Sequence, residues 1–488
     1  MPRRFRLAGL SFGVCMTENS YTAFGELAVA ENTPFVQAAA TYNFLPSNFR
    51  AYTATGGSTG VSNNLFQVET GTSVGGYGAI QSFRDVNYKP GEGAMARFTA
   101  LFESSAANSW QGVGLVNLGD ELSFGYNGTS FGVWHRYGGE AEVRTVTVTG
   151  AASGSENLTL TLNGTAYTIP LTSGTVNHNA FEIADWLNDS ANQSVWHADQ
   201  VDDTVILSAL SDGAKSGAYS FSSSTATGSI AQDTAGVTKT SDFVAQADWR
   251  GDDMTWLDPT KGNVYQIEFQ YLGFGVIRYL VENPETGGFQ VAHTIKWPNY
   301  NTTPSLGNPS LRLGLYAVSL GSTDNLIVKS ASMAGFTQGQ RARTRNPRAF
   351  SNTQSVGTSY TTVLALRNRK TYNGKFNQVE IQPLELTIAN EGAKNVEVEI
   401  RSSANFGVEF DYTAAGTNLV SDVSTSAVTV TGGRLLGAVV VAPGSSSVVD
   451  LSSLDIRLPP TLNLVVQAKK ASGSAADVSA SLIWYEDV

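Results

Sequence analysis

The stretch Val264–Trp297, VYQIEFQYLGFGVIRYLVENPETGGFQVAHTIKW, decides how the chain is read. Tyr265, Ile267, Phe269 and Tyr271 alternate with Gln266, Glu268 and Gln270. That period of two describes a strand with one dry and one wet face. The stretch divides into strands at Val264–Tyr271, Val276–Glu282 and Phe289–Trp297. Leu272-Gly273-Phe274-Gly275 and Asn283-Pro284-Glu285-Thr286-Gly287-Gly288 turn the chain between them, because Pro and Gly supply the backbone angles that tight turns need. A meander of this kind is the middle of an antiparallel sheet, so the rest of the chain must supply partner strands.

The totals agree with that demand. The 488 residues include 49 Gly and 15 Pro, with 15% charged and 10% aromatic. This mixture suits sheets joined by turns rather than long helices. A chain this long is expected to form about three domains. The net charge of −11 argues against nonspecific nucleic-acid binding, which needs Lys and Arg at phosphates. The one cysteine, Cys15, excludes an internal disulfide. No apolar run reaches the roughly 18 residues of a membrane-crossing helix. The start, MPRRFRLAGLSFGVCM, faintly resembles a secretory leader, but Gly and Ser break its apolar run, and an N-terminal strand or arm is the expectation.

Outward from the meander, residues 1–72 hold irregularly spaced aromatics (Phe44, Phe49, Tyr52, Phe66) and are expected to be an extended arm lying on a neighbouring chain. Residues 73–143 and 241–337 are strand-rich. Candidate strands are Gly78–Phe83, Met95–Phe102, Trp110–Asn117, Glu121–Tyr126 and Ser130–Tyr137, then Leu311–Val318 and Leu326–Ser332. Asn127-Gly128 is a hairpin signal. Between them, Thr145–Thr240 carries nine Asp or Glu against two Lys and few aromatics. It contains a hairpin around Asn163-Gly164 and a helix at His178–Asn188, with Asn177 as N-cap and Phe181, Ala184, Trp186 and Leu187 on its apolar side. Strands at Val195–Asp199, Thr204–Leu210 and Ala218–Ser223 follow. Residues 144–240 therefore read as a small ββαββ domain inserted into a loop of the larger one; a bead between two sheets is the alternative. Gln338–Arg348, QGQRARTRNPR, lacks an apolar pattern and reads as a linker (338–349). Its Arg341, Arg343, Arg345 and Arg348 are candidates for an assembly contact. Residues 350–488 offer about nine strand candidates near ten-residue intervals, including Val408–Tyr412 and Ala427–Thr431, as a β-sandwich or jelly roll would.

The fold class expected is thus all-β and multidomain. Gly112–Leu115, Leu122–Gly139 (LSFGYNGTSFGVWHRYGG) and Val264–Gln290 resemble a concanavalin-like jelly roll. They are similar to runs of the form "HR-GG … NVYQI-FQYLG-G … ENP-TG" in virion structural proteins of tailed phages and large aquatic DNA viruses. The resemblance covers about a third of the chain. It implies a multi-copy head, tail-fibre or capsid-surface component, located on the virion, whose partners are copies of itself (a trimer or larger) and other virion proteins.

Chemistry is sparse. Glycoside hydrolysis needs two carboxylates flanking the bond, and no run of alternating acids with a third occurs in residues 73–335; Glu140-Ala141-Glu142 and Glu397-Val398-Glu399 each lack one. The histidines, His135, His178, His197 and His293, show no metal-ligand spacing. Asp202-Asp203 and Asp252-Asp253 fit no calcium loop. Arg250-Gly251-Asp252 is read as a chance match to an adhesion tripeptide. No catalytic residue, metal or cofactor is expected, and the chain reads as a non-enzyme. Candidates for a glycan site are Trp110, Trp134, His135, Arg136, Tyr137, Trp249, Trp297 and Tyr300, since aromatic faces beside polar groups suit sugars. The functional expectation is a structural virion protein, with a host-glycan-binding adhesin as alternative and a polysaccharide-degrading enzyme as a remote third.

Overall fold

The strands Asn263–Phe269, Ile277–Glu282 and Phe289–Ile295 form the antiparallel meander in register Tyr265↔Val281 and Tyr279↔His293. The computed structural model describes residues 32–41, 48–86, 88–192, 194–339 and 347–487. Tyr265, Ile267 and Phe269 are buried as the alternation requires. Gln266 on the other face is also buried, because the Arg97 guanidinium closes over it (Nε to Oε1, 3.0 Å).

The meander lies at one side of a nine-stranded sheet. Its neighbour, Gly93–Phe102, is covered on both faces, which erased the alternation in its sequence. A seven-stranded sheet packs against it, in the order Thr240–Ala245, Ser130–Tyr137, Glu121–Asn127, Ser109–Val116, Leu311–Ser319, Tyr77–Val86, Phe49–Ala54. The core between them is aromatic: Phe98, Phe102, Phe124, Phe131, Tyr265 and Tyr279. The fold is therefore an all-β, two-sheet sandwich of jelly-roll type carrying further β lobes.

The described part of the expected N-terminal arm is built into this sandwich. Asn32–Ala39 pairs with Ser332–Gln338, Phe49–Ala54 with Tyr77–Val86, and Leu65–Glu69 with Ile327–Ser330. Phe49 and Phe66 are buried in the shared core 5.8 Å apart, on strands of opposite sheets, so no single period joined them in the sequence. Residues 1–31 lie outside the described residues.

Two hairpins show how local sequence sets turn type. At Asn163-Gly164 both residues have positive φ (51° and 79°), as a type I′ turn requires. At the other, Asn127 pairs with Ser130, and only Gly128 takes positive φ (61°). The turn there is Gly128-Thr129, not Asn127-Gly128.

The chain leaves the seven-stranded sheet after Tyr137 and returns beside the same strand at Thr240, Thr240 pairing with Tyr137. What lies between is a lobe of two small sheets with its own core, centred on Leu158, Leu160, Ile169, Leu207 and Trp196. Its helix runs Val176–Asn188, capped by the Thr175 hydroxyl accepting from His178 N, and Asn177 sits inside the first turn. The buried side is Ala180, Ile183, Ala184 and Leu187; Phe181 and Trp186 stand at its margins.

The last lobe packs a four-stranded sheet on a six-stranded one around Leu364, Leu366, Ile388, Val466 and Trp484. Its first strand is Pro347–Val356, paired along its length with Ala476–Asp487. Arg348 is therefore an exposed strand residue opposite Trp484 rather than part of a linker. Proline is tolerated as the first residue of such an edge strand. Arg341, Arg343 and Arg345 lie outside the described residues. Val408–Tyr412 and Ala427–Thr431 are not strands; Phe410, Tyr412 and Val430 instead cover Ala365 and Val465 on the far face of the six-stranded sheet. Their apolar spacing reflects that cover, not a ladder.

The three lobes touch through polar bridges. Arg50 Nη2 donates to Thr461 Oγ1 (2.7 Å), Arg367 Nη2 to Gln200 O (2.7 Å), and His178 Nδ1 meets Glu409 Oε2 (2.6 Å).

Candidate functional site

Period two separates the aromatic run Trp134–Tyr137 into two places. Phe131 and Val133 face the core, so His135 and Tyr137 continue that face, while Trp134 and Arg136 point to the outer face of the seven-stranded sheet.

The outer face is assembled by register. Directly paired residues share a face, so one row across the sheet reads Tyr52, Ala79, Tyr316, Gly112, Gly125, Gly132. The next row reads Arg50, Gln81, Gly314, Gly114, Ser123, Trp134. The glycines make a floor. A Cβ at Gly112 would stand 2.6 Å from the Tyr316 ring, so the missing side chain there is what lets that ring lie down on the sheet.

Arg136 sits above this floor between two indoles, with Cζ 3.8 Å from the Trp134 centroid and 4.4 Å from that of Trp110. Its Nη1 donates to Glu121 Oε2 (2.8 Å), and its Nε to Ser241 Oγ (3.0 Å). Tyr316 donates its hydroxyl to Glu121 Oε1 (2.7 Å), and Ser123 donates to the same oxygen. Burial opposes the Arg136 charge, but Glu121 and Tyr316 outweigh it, so the guanidinium pKa is raised. Burial first, and then Glu121, pushes the Tyr316 phenol well up. The guanidinium therefore stays charged and the phenol neutral. Two buried donors here, Arg136 Nη2 and Trp134 Nε1, have no hydrogen-bond partner among the described residues. Trp110, Tyr316 and Tyr77 are half-buried and Tyr52 is exposed, so rings line the accessible surface of this face.

The other candidates lie elsewhere. His135 stacks on Tyr137 (4.6 Å), and the Trp297 ring meets both edge-on at 5.3 and 5.1 Å. Buried His135 donates from Nε2 to Ser305 O (2.7 Å); burial lowers its pKa, favouring the neutral ring. Asp120 pins the adjoining loop by accepting from Gly307 N, Asn308 N and Gly138 N. Trp297 is buried and its Nε1 donates to Thr303 O, whereas Tyr300 is free of the cluster and 77% exposed. Trp249 packs on Phe124 and Phe131 and donates to Val244 O. This second group holds a loop against the sandwich.

Glu121 and Tyr316 were not foreseen from the sequence. Glu121-Leu122-Ser123-Phe124-Gly125 does carry a signal, polar and small residues alternating with apolar ones, but only strand register brings Tyr316 beside it. The alternating acids singled out earlier are all partnered. Glu142 accepts from Arg144, Lys215 N and Tyr219; Glu397 accepts from Tyr360, and Glu399 from Arg401 and Gln467. Asp252 and Asp253 accept from the backbone at Val291 and Thr255. Among the described residues no three His, Cys, Asp or Glu gather where they could hold a metal ion, and no helix is long and apolar enough to cross a membrane.

No protein family's sequence profile matches the chain, and no curated protein matches it. Solved structures with partial likeness include the carbohydrate recognition domain of Emp46p in its metal-free form. It is 11% identical, over 60% of this chain and 90% of that one, with a TM-score of 0.23. A legume lectin-like domain from Entamoeba histolytica is 9% identical over 60% and 96%, at 0.24. A lectin from Bauhinia forficata in complex with GalNAc is 10% identical over 64% and 100%, also at 0.24. With superpositions this partial, the architecture rests on the strand pairing itself.

Proposed function

We propose that the chain is a non-catalytic carbohydrate-binding protein whose sugar-facing surface is the outer face of the seven-stranded sheet. The carrying observation is the Trp110–Arg136–Trp134 stack on a glycine floor, with two buried donors unpartnered beside half-exposed rings. Sugar C–H faces stack on indole and phenol rings, which here are the half-buried Trp110, Tyr316 and Tyr77 and the exposed Tyr52. One carboxylate, Glu121, lies in the stack, and Arg136 and Tyr316 hold it. That arrangement orients a surface and gives no second carboxylate for bond cleavage. A glycan array probed with the intact protein is expected to give a specific hit that Trp110→Ala loses by about tenfold or more, the equivalent of roughly 1.4 kcal/mol. Retention of every hit by that variant would remove the reading, as would an array with no hit.

A second reading concerns setting: the chain acts as a component of a virus particle and assembles with copies of itself. It is supported by the resemblance of Leu122–Gly139 and Val264–Gln290 and by apolar side chains exposed on the last lobe. Val440 and Val448 are 63% and 60% exposed on the edge strands Arg434–Val441 and Ser446–Asp450. Exposed edges of this kind pair with other chains. Light scattering after size exclusion is expected to show a trimer or larger, shifted towards monomer by Val440→Asp with Val448→Asp. A native monomer at low micromolar concentration would count against it.

A further inference from the structure

The three lobes border a half-open cavity of about 1230 Å³, away from the Trp110–Arg136–Trp134 stack. Phe35, Phe49 and Phe83 of the sandwich, Phe181 of the inserted lobe, and Phe406 and Phe410 of the last lobe contribute apolar wall. Its charged wall runs against the rest of the protein. In a chain of net charge −11, six Arg or Lys side chains line it against three carboxylates.

Several of those charges are already used within the protein. Arg367 is held by Asp422, Arg457 by Asp455, and Asp199 accepts from His197 Nε2 (3.2 Å) and Lys370 N (3.1 Å). Of the four other cations, Arg434 is exposed, and Arg50 and Lys370 face the cavity from different lobes. Arg50 lies over the Phe83 ring (4.5 Å) and makes its hydrogen bond to a neutral hydroxyl, that of Thr461. Lys370, from the last lobe, has Asp199 as its nearest acid influence, with Arg50 and Arg312 opposing its charge. Arg84 adds a third, its guanidinium over the Phe35 ring (4.3 Å) and in only long ion pairs, Nε to Glu380 at 3.7 Å and Nη1 to Asp455 at 3.8 Å.

We infer that this inter-lobe cavity is a binding site for a small ligand bearing an anionic head, a phosphate, sulfate or carboxylate, joined to a body with an apolar face. Arg50 offers a planar fork for two oxygens and Lys370 a point charge from the opposite wall. The aromatic residues receive the body of the ligand. Because the wall is drawn from all three lobes, occupancy also holds them in one arrangement. Burial, and then the neighbouring arginines, bring Lys370 down to about 7 against the pull of Asp199. The ammonium that an anion needs is therefore present below that pH and is lost as pH rises through it, so affinity falls above neutrality.

The test uses the full chain at constant ionic strength and reads melting temperature and titration calorimetry. The probes are inorganic phosphate, inorganic sulfate, glucuronate and a nucleoside monophosphate, with glucose as uncharged control. At least one anion is expected to bind saturably and raise the melting temperature. Lys370→Gln and Arg50→Gln should each weaken it about tenfold, the size of one charge-assisted contact. Lys370→Arg should keep the binding and flatten its fall above pH 7. Preference for glucuronate identifies an acidic sugar, and preference for the nucleotide a phosphate ester. No saturable response to any anion, or binding unchanged in both glutamine variants, overturns the inference. Trp110→Ala should leave anion binding intact, so failure of the sugar-face reading and failure of this one are told apart.

Discussion

Asp422→Ala should cost the last lobe about 3–5 kcal/mol, the range for removing one partner of a buried ion pair. Asp422 is fully buried between two guanidiniums, with Oδ2 2.7 Å from Arg367 Nη2 and Oδ1 2.6 Å from Arg369 Nε. Truncation leaves both charges without their acid. Arg367 cannot escape by losing its proton, since a guanidinium keeps its charge at any ordinary pH. It also carries the bridge to Gln200 O, so the inserted lobe should loosen with it. A loss of this size is a large part of a domain's usual 5–15 kcal/mol. Amide exchange in Thr361–Asn368 and Ser421–Ser424 reports it locally, which matters in a protein with several cores. Protection within about 1 kcal/mol of the parent would show that the ion cluster is not holding the lobe.

Phe124→Ala is expected to cost a similar 3–5 kcal/mol, this time in the sandwich, through cavity formation. The Phe124 ring is fully buried and bridges the two sheets. Its centroid lies 4.6 Å from that of Tyr265, 5.4 Å from Tyr279, 6.4 Å from Phe98 and 6.0 Å from Trp249. The first three partners stand on the sheet that holds the meander, so the substitution removes the contact by which that meander meets its facing sheet. Phe274→Ala, in the exposed turn between the first two meander strands, should change stability by no more than about 0.5 kcal/mol. Equal effects of the two in urea titrations would mean that the aromatic core is not what joins the sheets.

The meander was legible because each strand has one face in the core, and its observed ends fall within two residues of the pattern. Gly93–Phe102 was harder, since a central strand covered on both sides loses its alternation. The N-terminal strands were read as an arm because Phe49 and Phe66 enter one core from different sheets, and no periodicity records that. In the last lobe the opposite error arose: Phe410 and Tyr412 are spaced like strand residues but cap a sheet from outside.

The sugar face shows the same division. Trp134 and Arg136 were among the candidates but were grouped with His135 and Tyr137, which the strand turns to the opposite face. Trp110 pairs with Asn127, two rows from Trp134, and its ring meets that of Trp134 only across the glycine row between them. Tyr316 and Glu121 enter through a pairing of strands far apart in sequence, which residue types alone do not encode. The inter-lobe cavity was still less accessible to reading, because Arg50, Lys370 and Asp199 come from three separate lobes and no local spacing connects them.

The most direct measurement is a crystal structure of the protein bound to its best glycan-array hit. The expected result is a sugar ring stacked on the half-buried Trp110 ring, on the outer face of the seven-stranded sheet. A sugar seated instead on the loop around Trp297 and Tyr300, with the Trp110–Arg136–Trp134 stack untouched, would contradict it.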